Sequence, residues 1–319
     1  MGYWRQKRTG VALVALVTVA IGAFAAAATV GAGSSGRRSS DQESSGPESS
    51  GNAPPDPTLP RPFRVYRSLE AYDNVEVPPD FEEQTEFVFA RLMYPSHPLG
   101  LFSRSRGYAA IADRDWRQGG MSWTQDYPRA DRHFALAMRR LTRVHTRSAE
   151  QPVNPDDGDD IFNWPFLAAG EMGDWKLTGA QISKVREYLL RGGFLMLDDF
   201  WGKTEWDRFL ETMREILPDE QIVEIENPDA IFHIVYDLDN RYQIMGQWAL
   251  IGSMADRWVG SVPHWRGIYD SKGRLIVAIT YNNDVGDSWE YADDPVYPER
   301  YSALGIRLGV NDVLYAMTH

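Results

Sequence analysis

GGFLMLDDFWG, residues 192–202, is the stretch that decides the fold. Two glycines end a helical pattern, Phe194–Leu197 is an unbroken apolar run, and the run stops on the adjacent acids Asp198 and Asp199, with Phe200 and Trp201 behind them. A short segment that is apolar throughout and bounded by glycine reads as a strand buried on both faces, as in parallel sheets. Upstream, LTGAQISKVREYLLRGG predicts a helix: Thr178 and Gln181 form a capping box, Ile182, Val185 and Leu189 share one face, and Gly192 ends it. Downstream, KTEWDRFLETMREILP predicts a second helix with Thr204 as N-cap, Phe209, Leu210, Met213 and Leu217 inward, and Pro218 as the stop. Helix, buried strand, helix is the alternation of a layered α/β sheet.

The pattern extends in both directions. EFVFARLMY (86–94), WPFLAAG (164–170), QIVEI (221–225) and RLIVAITY (274–281) read as strands. WTQDYPRADRHFALAMRRLTRV reads as a turn and a helix, with Pro128 at an early helical position and Phe134, Met138 and Leu141 on one face, and YSALGIRLGVNDVLYAMT reads as a closing helix. An α/β domain with a mostly parallel sheet is therefore expected over residues 63–319.

Before it, residues 1–10 carry Arg5, Lys7 and Arg8, and residues 11–33, VALVALVTVAIGAFAAAATVGAG, are uncharged and long enough to cross a bilayer as a helix. That length favours an uncleaved anchor over a signal peptide, although AFAAAA offers Ala-x-Ala cleavage sites. Either way, residues 34 onward are expected outside the cytoplasm. Residues 34–62 are Ser, Gly, Pro and charge, the composition of a flexible tether. The G-x-G-x-x-G at Gly31, Gly33 and Gly36 falls here and has no strand-turn-helix around it, so it is not a dinucleotide fingerprint.

Composition narrows the chemistry. The formal net charge of −12 disfavours nucleic acid as a partner. The absence of cysteine excludes a thiol nucleophile, disulfides and thiolate zinc sites. There is no G-x-S-x-G elbow and no phosphate loop. His97, His133, His145, His233, His264 and His319 show no ligand spacing, so no metal site is assigned, and no cofactor is specified. His233 reads as a satisfied core or strand-end histidine, and Arg139, Arg140, Arg143 and Arg147 as a solvated basic face. Eleven tryptophans suggest some binding surface alongside the core.

Ligands of open parallel sheets sit at the carboxyl ends of strands. The residues expected there are Asp198, Asp199 and Trp201 after one strand, and Asn282, Asn283, Asp284, Asp287, Trp289 and Glu290 after another. The turn GGMSWTQDYP adds Trp123, Asp126 and Tyr127. Asp198 and Asp199 form either a carboxylate pair for acid/base work or a hard metal, or structural acceptors for backbone N–H groups. Neighbours on an extended strand point to opposite faces, so both face one ligand only if the strand has already turned.

With FVFARLMY, WTQDYPRAD, GGFLMLDDFWG followed by EW and F, PDAIFHIVYDL, GRLIVAITYNNDVGDSWE and LGVNDVLYAMTH in hand, the chain resembles the bacterial family called domain of unknown function 4159 over about residues 86–319. The resemblance implies a three-layer, flavodoxin-like fold of the class I glutamine-amidotransferase type, more distantly similar to trehalose-utilisation domains. In amidotransferase-like proteins the strand equivalent to Phe194–Leu197 leads to a nucleophilic cysteine; here it leads to Asp198 and Asp199. A carboxylate there would form a labile anhydride, so glutaminase activity does not carry over.

The expected function is a membrane-anchored, extracytoplasmic binding or scaffolding subunit of an envelope assembly. It would be single-pass in a bacterial inner membrane, with its N-terminus cytoplasmic, residues 11–33 in the bilayer, the main domain periplasmic and a protein partner. The alternatives are a hydrolase for an envelope glycan, ester or amide, using Asp198 or Asp199 with Glu290, with or without a divalent metal, and a carbohydrate-binding module stacking sugars on Trp123, Trp201 and Trp289.

Overall fold

The computed structural model describes residues 58–70, 72, 74–101, 115–252 and 261–319. The expected membrane span and most of the tether lie outside these residues. Among the described residues no helix is long and apolar enough to cross a membrane. The packed body already includes Arg61, whose backbone N–H donates to Asp160 Oδ1 at 2.8 Å.

Seven strands, β1 (Ala90–Leu92), β2 (Gln151–Val153), β3 (Phe166–Ala169), β4 (Phe194–Leu197), β5 (Val223–Glu224), β6 (His264–Tyr269) and β7 (Leu275–Tyr281), form one sheet. Their order is β2-β1-β3-β4-β7-β6-β5. The first five in that order are parallel neighbours, and β6 and β5 complete the sheet antiparallel. Helices are α1 (Arg129–Leu141), α2 (Gly179–Leu190), α3 (Gly202–Ile216), the short α4 (Gln247–Leu250), α5 (Val285–Glu290) and α6 (Glu299–Thr318).

Strand alternation builds a core on each face of the sheet. Leu195 and Leu197 of β4 pack with Ile182, Val185 and Leu189 of α2 and Phe209 and Met213 of α3. Phe194 and Met196 pack on the other face with Phe134 and Met138 of α1, Trp289 of α5 and Leu304 and Leu308 of α6. The mostly parallel α/β sheet expected from the sequence is thus present, with helices on both sides.

Local chemistry sets the helix ends. Thr178 Oγ1 accepts from Gln181 N while Gln181 Oε1 accepts from Thr178 N, closing the capping box at α2. Thr178→Ala is expected to cost about 0.5–2 kcal/mol, read as a lower urea midpoint at unchanged slope. An unchanged midpoint would show that packing alone holds this end.

Several expectations need correction. Thr204 is exposed inside the first turn of α3. The capping position belongs to Trp201, whose N–H is taken by Glu205 Oε2 at 2.7 Å. Leu141 is exposed and Ala135 takes its place in the buried stripe of α1. Arg147 is buried, not solvated, and donates to the carbonyls of Ala149 and Glu150. Strands β2 and β6 were not anticipated. Trp116, Trp123, Trp164, Trp175, Trp201 and Trp289 are all buried, so the tryptophan excess is largely core.

Candidate functional site

The sheet's strand order reverses between β1 and β3, and in open α/β sheets the crevice at that switch is where ligands bind. A cavity of about 20 Å³ opens there, lined by Arg91 of β1, Ala168 and Ala169 of β3, Asp198 beyond β4, and Asp126, Gly286 and Trp289.

Asp198 still belongs to the sheet, its N–H pairing with Ala169 O at 3.0 Å. The chain then turns, because Asp199 adopts φ 48°, a left-handed conformation that aspartate tolerates better than most residues. The two acids therefore diverge in role. Asp198 Oδ2 accepts from Gly286 N at 2.8 Å and its Oδ1 accepts from Thr280 Oγ1. Asp199 Oδ1 accepts from Trp201 Nε1 at 2.7 Å. Both opening acids serve the fold at the strand tip.

The tip of β7 behaves similarly at first. Asn282 Oδ1 accepts from Gly202 N at 2.9 Å, and Asn283 Oδ1 from Ile244 N at 3.0 Å. Asp284 caps α5, its Oδ1 accepting from Asp287 N at 2.8 Å. Asp287 Oδ2 accepts from Gln247 N at 2.5 Å. Each of these carboxylates keeps an oxygen beyond those bonds. The backbone makes room for them: a Cβ on Gly246 would stand 2.2 Å from Asp284 Oδ2, and one on Gly286 2.2 Å from Asp126 Oδ2.

Asp126 arrives from the turn before α1 with φ 60°. That turn is clamped by Arg91, which pairs through two N–H groups with Asp131 and donates to the carbonyls of Trp123 at 3.3 Å and Gln125 at 3.1 Å. Glu70 reaches in from the N-terminal segment, accepting from Gln125 Nε2 at 2.7 Å and Asp126 N at 2.8 Å.

These acids converge. One oxygen each from Glu70, Asp126 and Glu290 lie within 4.8 Å of one another, and so do oxygens of Asp126, Asp284 and Asp287. Among the described residues, Asp126 Oδ1 and both oxygens of Glu290 lack a hydrogen-bond partner, although Asp126 is 4% and Glu290 0% exposed. Trp289 Nε1 at the cavity wall also has none.

The electrostatics follow from burial. Desolvation, then the charge of Glu70 and Asp287, pushes Glu290 up to about 10. Desolvation and Asp287 raise Glu70 to about 7, and desolvation and Asp199 raise Asp198 to about 7 and Asp287 to about 6. Asp126 and Asp284 are held well above the usual carboxylate range for the same reasons. Nearby cations are already engaged: Arg91 with Asp131, and Arg129 with Asp293.

The remaining expected residues are core. Trp123 is fully buried and donates to Trp116 O at 2.8 Å, and Tyr127 OH accepts from Tyr66 N at 3.2 Å. Trp289 stacks on Phe134 with ring centroids 4.4 Å apart, and Trp201 is 2% exposed. None of the three indoles proposed as sugar platforms offers a face to solvent. His233 is half-buried and satisfied, its ring nitrogens facing Asp237 Oδ1 and Asn227 O. Sequence reading missed Glu70 and Tyr72, which abuts Glu290. Neither carries a motif, and both meet the cluster only through long-range packing.

Fold and site together define a mostly parallel α/β domain with a buried carboxylate cluster at its strand tips. A family model described as Domain of unknown function (DUF4159) matches residues 114–317, and the chain belongs to that family. The match contains every acid of the cluster except Glu70, and it begins later than the resemblance from residue 86. No curated protein matches the chain.

Proposed function

We propose that the chain is a ligand-binding subunit without nucleophilic chemistry, displayed outside the inner membrane of a bacterium as part of an envelope assembly. Its fold is read as flavodoxin-like, of the class I glutamine-amidotransferase type. The order β2-β1-β3-β4-β7 supports this, since it follows the doubly wound order 2-1-3-4-5, with β6 and β5 as an added antiparallel margin. One observation carries the choice of binding over hydrolysis. Where amidotransferase-like proteins place a thiol, Asp198 and Asp199 stand with their carboxylates taken by Thr280, Gly286 and Trp201. A nucleophile must be available to the substrate, and these are consumed. The uncharged run 11–33 supplies the anchor and residues 34–62 the reach to a partner.

The test is purification of the full-length chain from native membranes after mild cross-linking. The expected result is membrane fractionation with a stoichiometric partner chain, unchanged in Asp198→Asn protein that still folds. A lone monomer with no co-purifying chain sinks the reading. Turnover of a glycan or ester that disappears in Glu290→Gln would install the hydrolase in its place.

A further inference from the structure

We propose that the carboxylates around Asp126 hold a hard divalent cation of the Ca²⁺ or Mg²⁺ type, ligated by Glu70, Asp126 and Glu290, with Asp284 and Asp287 forming a second triad that shares Asp126. The proposal goes beyond the binding-subunit reading and holds whether the domain binds or hydrolyses.

Spacing comes first. Oxygens around Mg²⁺ or Ca²⁺ sit at about 2.0–2.6 Å from the ion, so oxygens on opposite sides are about 4–5 Å apart. The triads Glu70–Asp126–Glu290 and Asp126–Asp284–Asp287 each fall within 4.8 Å, which is the width of one such shell. Asp126 belongs to both.

The second observation is independent of clustering. Asp126 Oδ1 and both Glu290 oxygens are buried and make no hydrogen bond among the described residues, with the Tyr72 side chain set against Glu290. Buried carboxylates in native proteins are hydrogen-bonded, paired or bound to metal, because stripping them of water without a partner is costly. Among the described residues no arginine or lysine fills that role, since Arg91 is bound to Asp131 and Arg129 to Asp293.

The surroundings are built as a ligand set's support. Glu70 is fixed by Gln125 and the Asp126 N–H, Asp284 by the Asp287 N–H, and Asp287 by the Gln247 N–H. Such outer bonds orient carboxylates and leave their other lone pairs for an ion. The cavity of about 20 Å³ beside Asp126 admits about one water, a natural further ligand. Glu70, only half-buried, gives the ion a way in.

Ligand chemistry selects the class of ion. The set is all carboxylate oxygen, the chain has no cysteine, and His133, which meets the backbone of Glu290, turns its Nδ1 to the carbonyls of Trp289 and Glu290. Oxygen-only sites suit Mg²⁺, Ca²⁺ or Mn²⁺ over softer metals.

The experiment uses the full-length chain stripped with chelator and dialysed, then titrated with CaCl₂ or MgCl₂ against NaCl of matched ionic strength. A saturable rise in Tm of roughly 5 °C or more is expected with at least one of them. Glu290→Gln and Asp126→Asn keep side-chain shape and relieve repulsion, so each should fold, melt higher than wild type in chelator, and bind at least tenfold more weakly. Exposed Asp237→Asn is the control and should respond like wild type. Tb³⁺ gives a readout that does not depend on stability: excitation of tryptophan should sensitise its emission through the neighbouring Trp289, and Ca²⁺ should quench it by displacement. No saturable shift with either salt, no sensitised Tb³⁺ emission, or an equal response in Glu290→Gln and Asp126→Asn overturns the proposal and leaves the carboxyls sharing protons instead. Loss of the partner chain bears on the binding-subunit reading alone.

Discussion

Arg91→Ala is expected to destabilise the protein by about 3–5 kcal/mol, the usual effect of removing one member of a buried ion pair. Arg91 is 5% exposed and Asp131 0%, so the surviving carboxylate would stay in the interior without its counter-charge. Burial alone raises Asp131, and Arg91 is the main influence opposing it. The same guanidinium donates to the carbonyls of Trp123 and Gln125, so its loss also frees the turn that sets Asp126 in place. Urea unfolding measures the cost; a loss below about 1 kcal/mol would show that the pair is not buried in solution. The double variant Arg91→Met with Asp131→Leu is expected to recover much of the stability, because a paired apolar replacement removes both desolvation penalties. It should not recover the site, since neither side chain can hold the two carbonyls.

The second large effect is an inverted pH dependence. Asp287, Asp198, Glu70 and Glu290 have folded-state values of about 6, 7, 7 and 10, all above their unfolded values near 4. A raised value contributes stability that is complete below the unfolded pKa and is lost as pH climbs through the folded one. In chelator the protein should therefore melt higher at pH 5 than at pH 8.5. The groups facing the cluster do not reverse that sign: Arg91 and Arg129 stay charged in their own pairs, and desolvation holds Tyr72, Tyr291 and Tyr297 un-ionised across this range. Ca²⁺ or Mg²⁺ should restore the high-pH arm selectively, since only the ionised carboxylates bind it. Calorimetric scans across pH with and without the cation check both statements; a melting temperature that rises with pH in chelator contradicts the first.

The frame of the fold was legible because its strongest signals are local. Phe194–Leu197 is apolar on both faces, and the Thr178–Gln181 box is written in four residues. β2 and β6 were not legible. Gln151–Val153 is three residues long with proline at its centre, and HWRGIY carries charge and glycine on a strand packed on one side by β7 and on the other by a two-residue ribbon. The tryptophans misled because indole is as much a core residue as a binding one, and exposure has no sequence signature. Acids 126, 198, 199, 284, 287 and 290 could be named from the rule that strand tips carry ligands. Which of them stay open could not: that depends on whether Gly286, Gln247 and Trp201 point their donors at a carboxylate, and on Glu70 arriving from 56 residues upstream of Asp126.

The two rims of the sheet constrain how this domain can meet another chain. At one rim β2 has Pro152 in its middle, which has no N–H to offer. At the opposite rim β5 is two residues long, and Glu224 there is engaged by His264 and Arg266. Neither border can template an incoming strand from another chain. Any chain that docks on this domain must therefore meet it through its helices and loops, and copies brought close together are protected from zipping edge to edge.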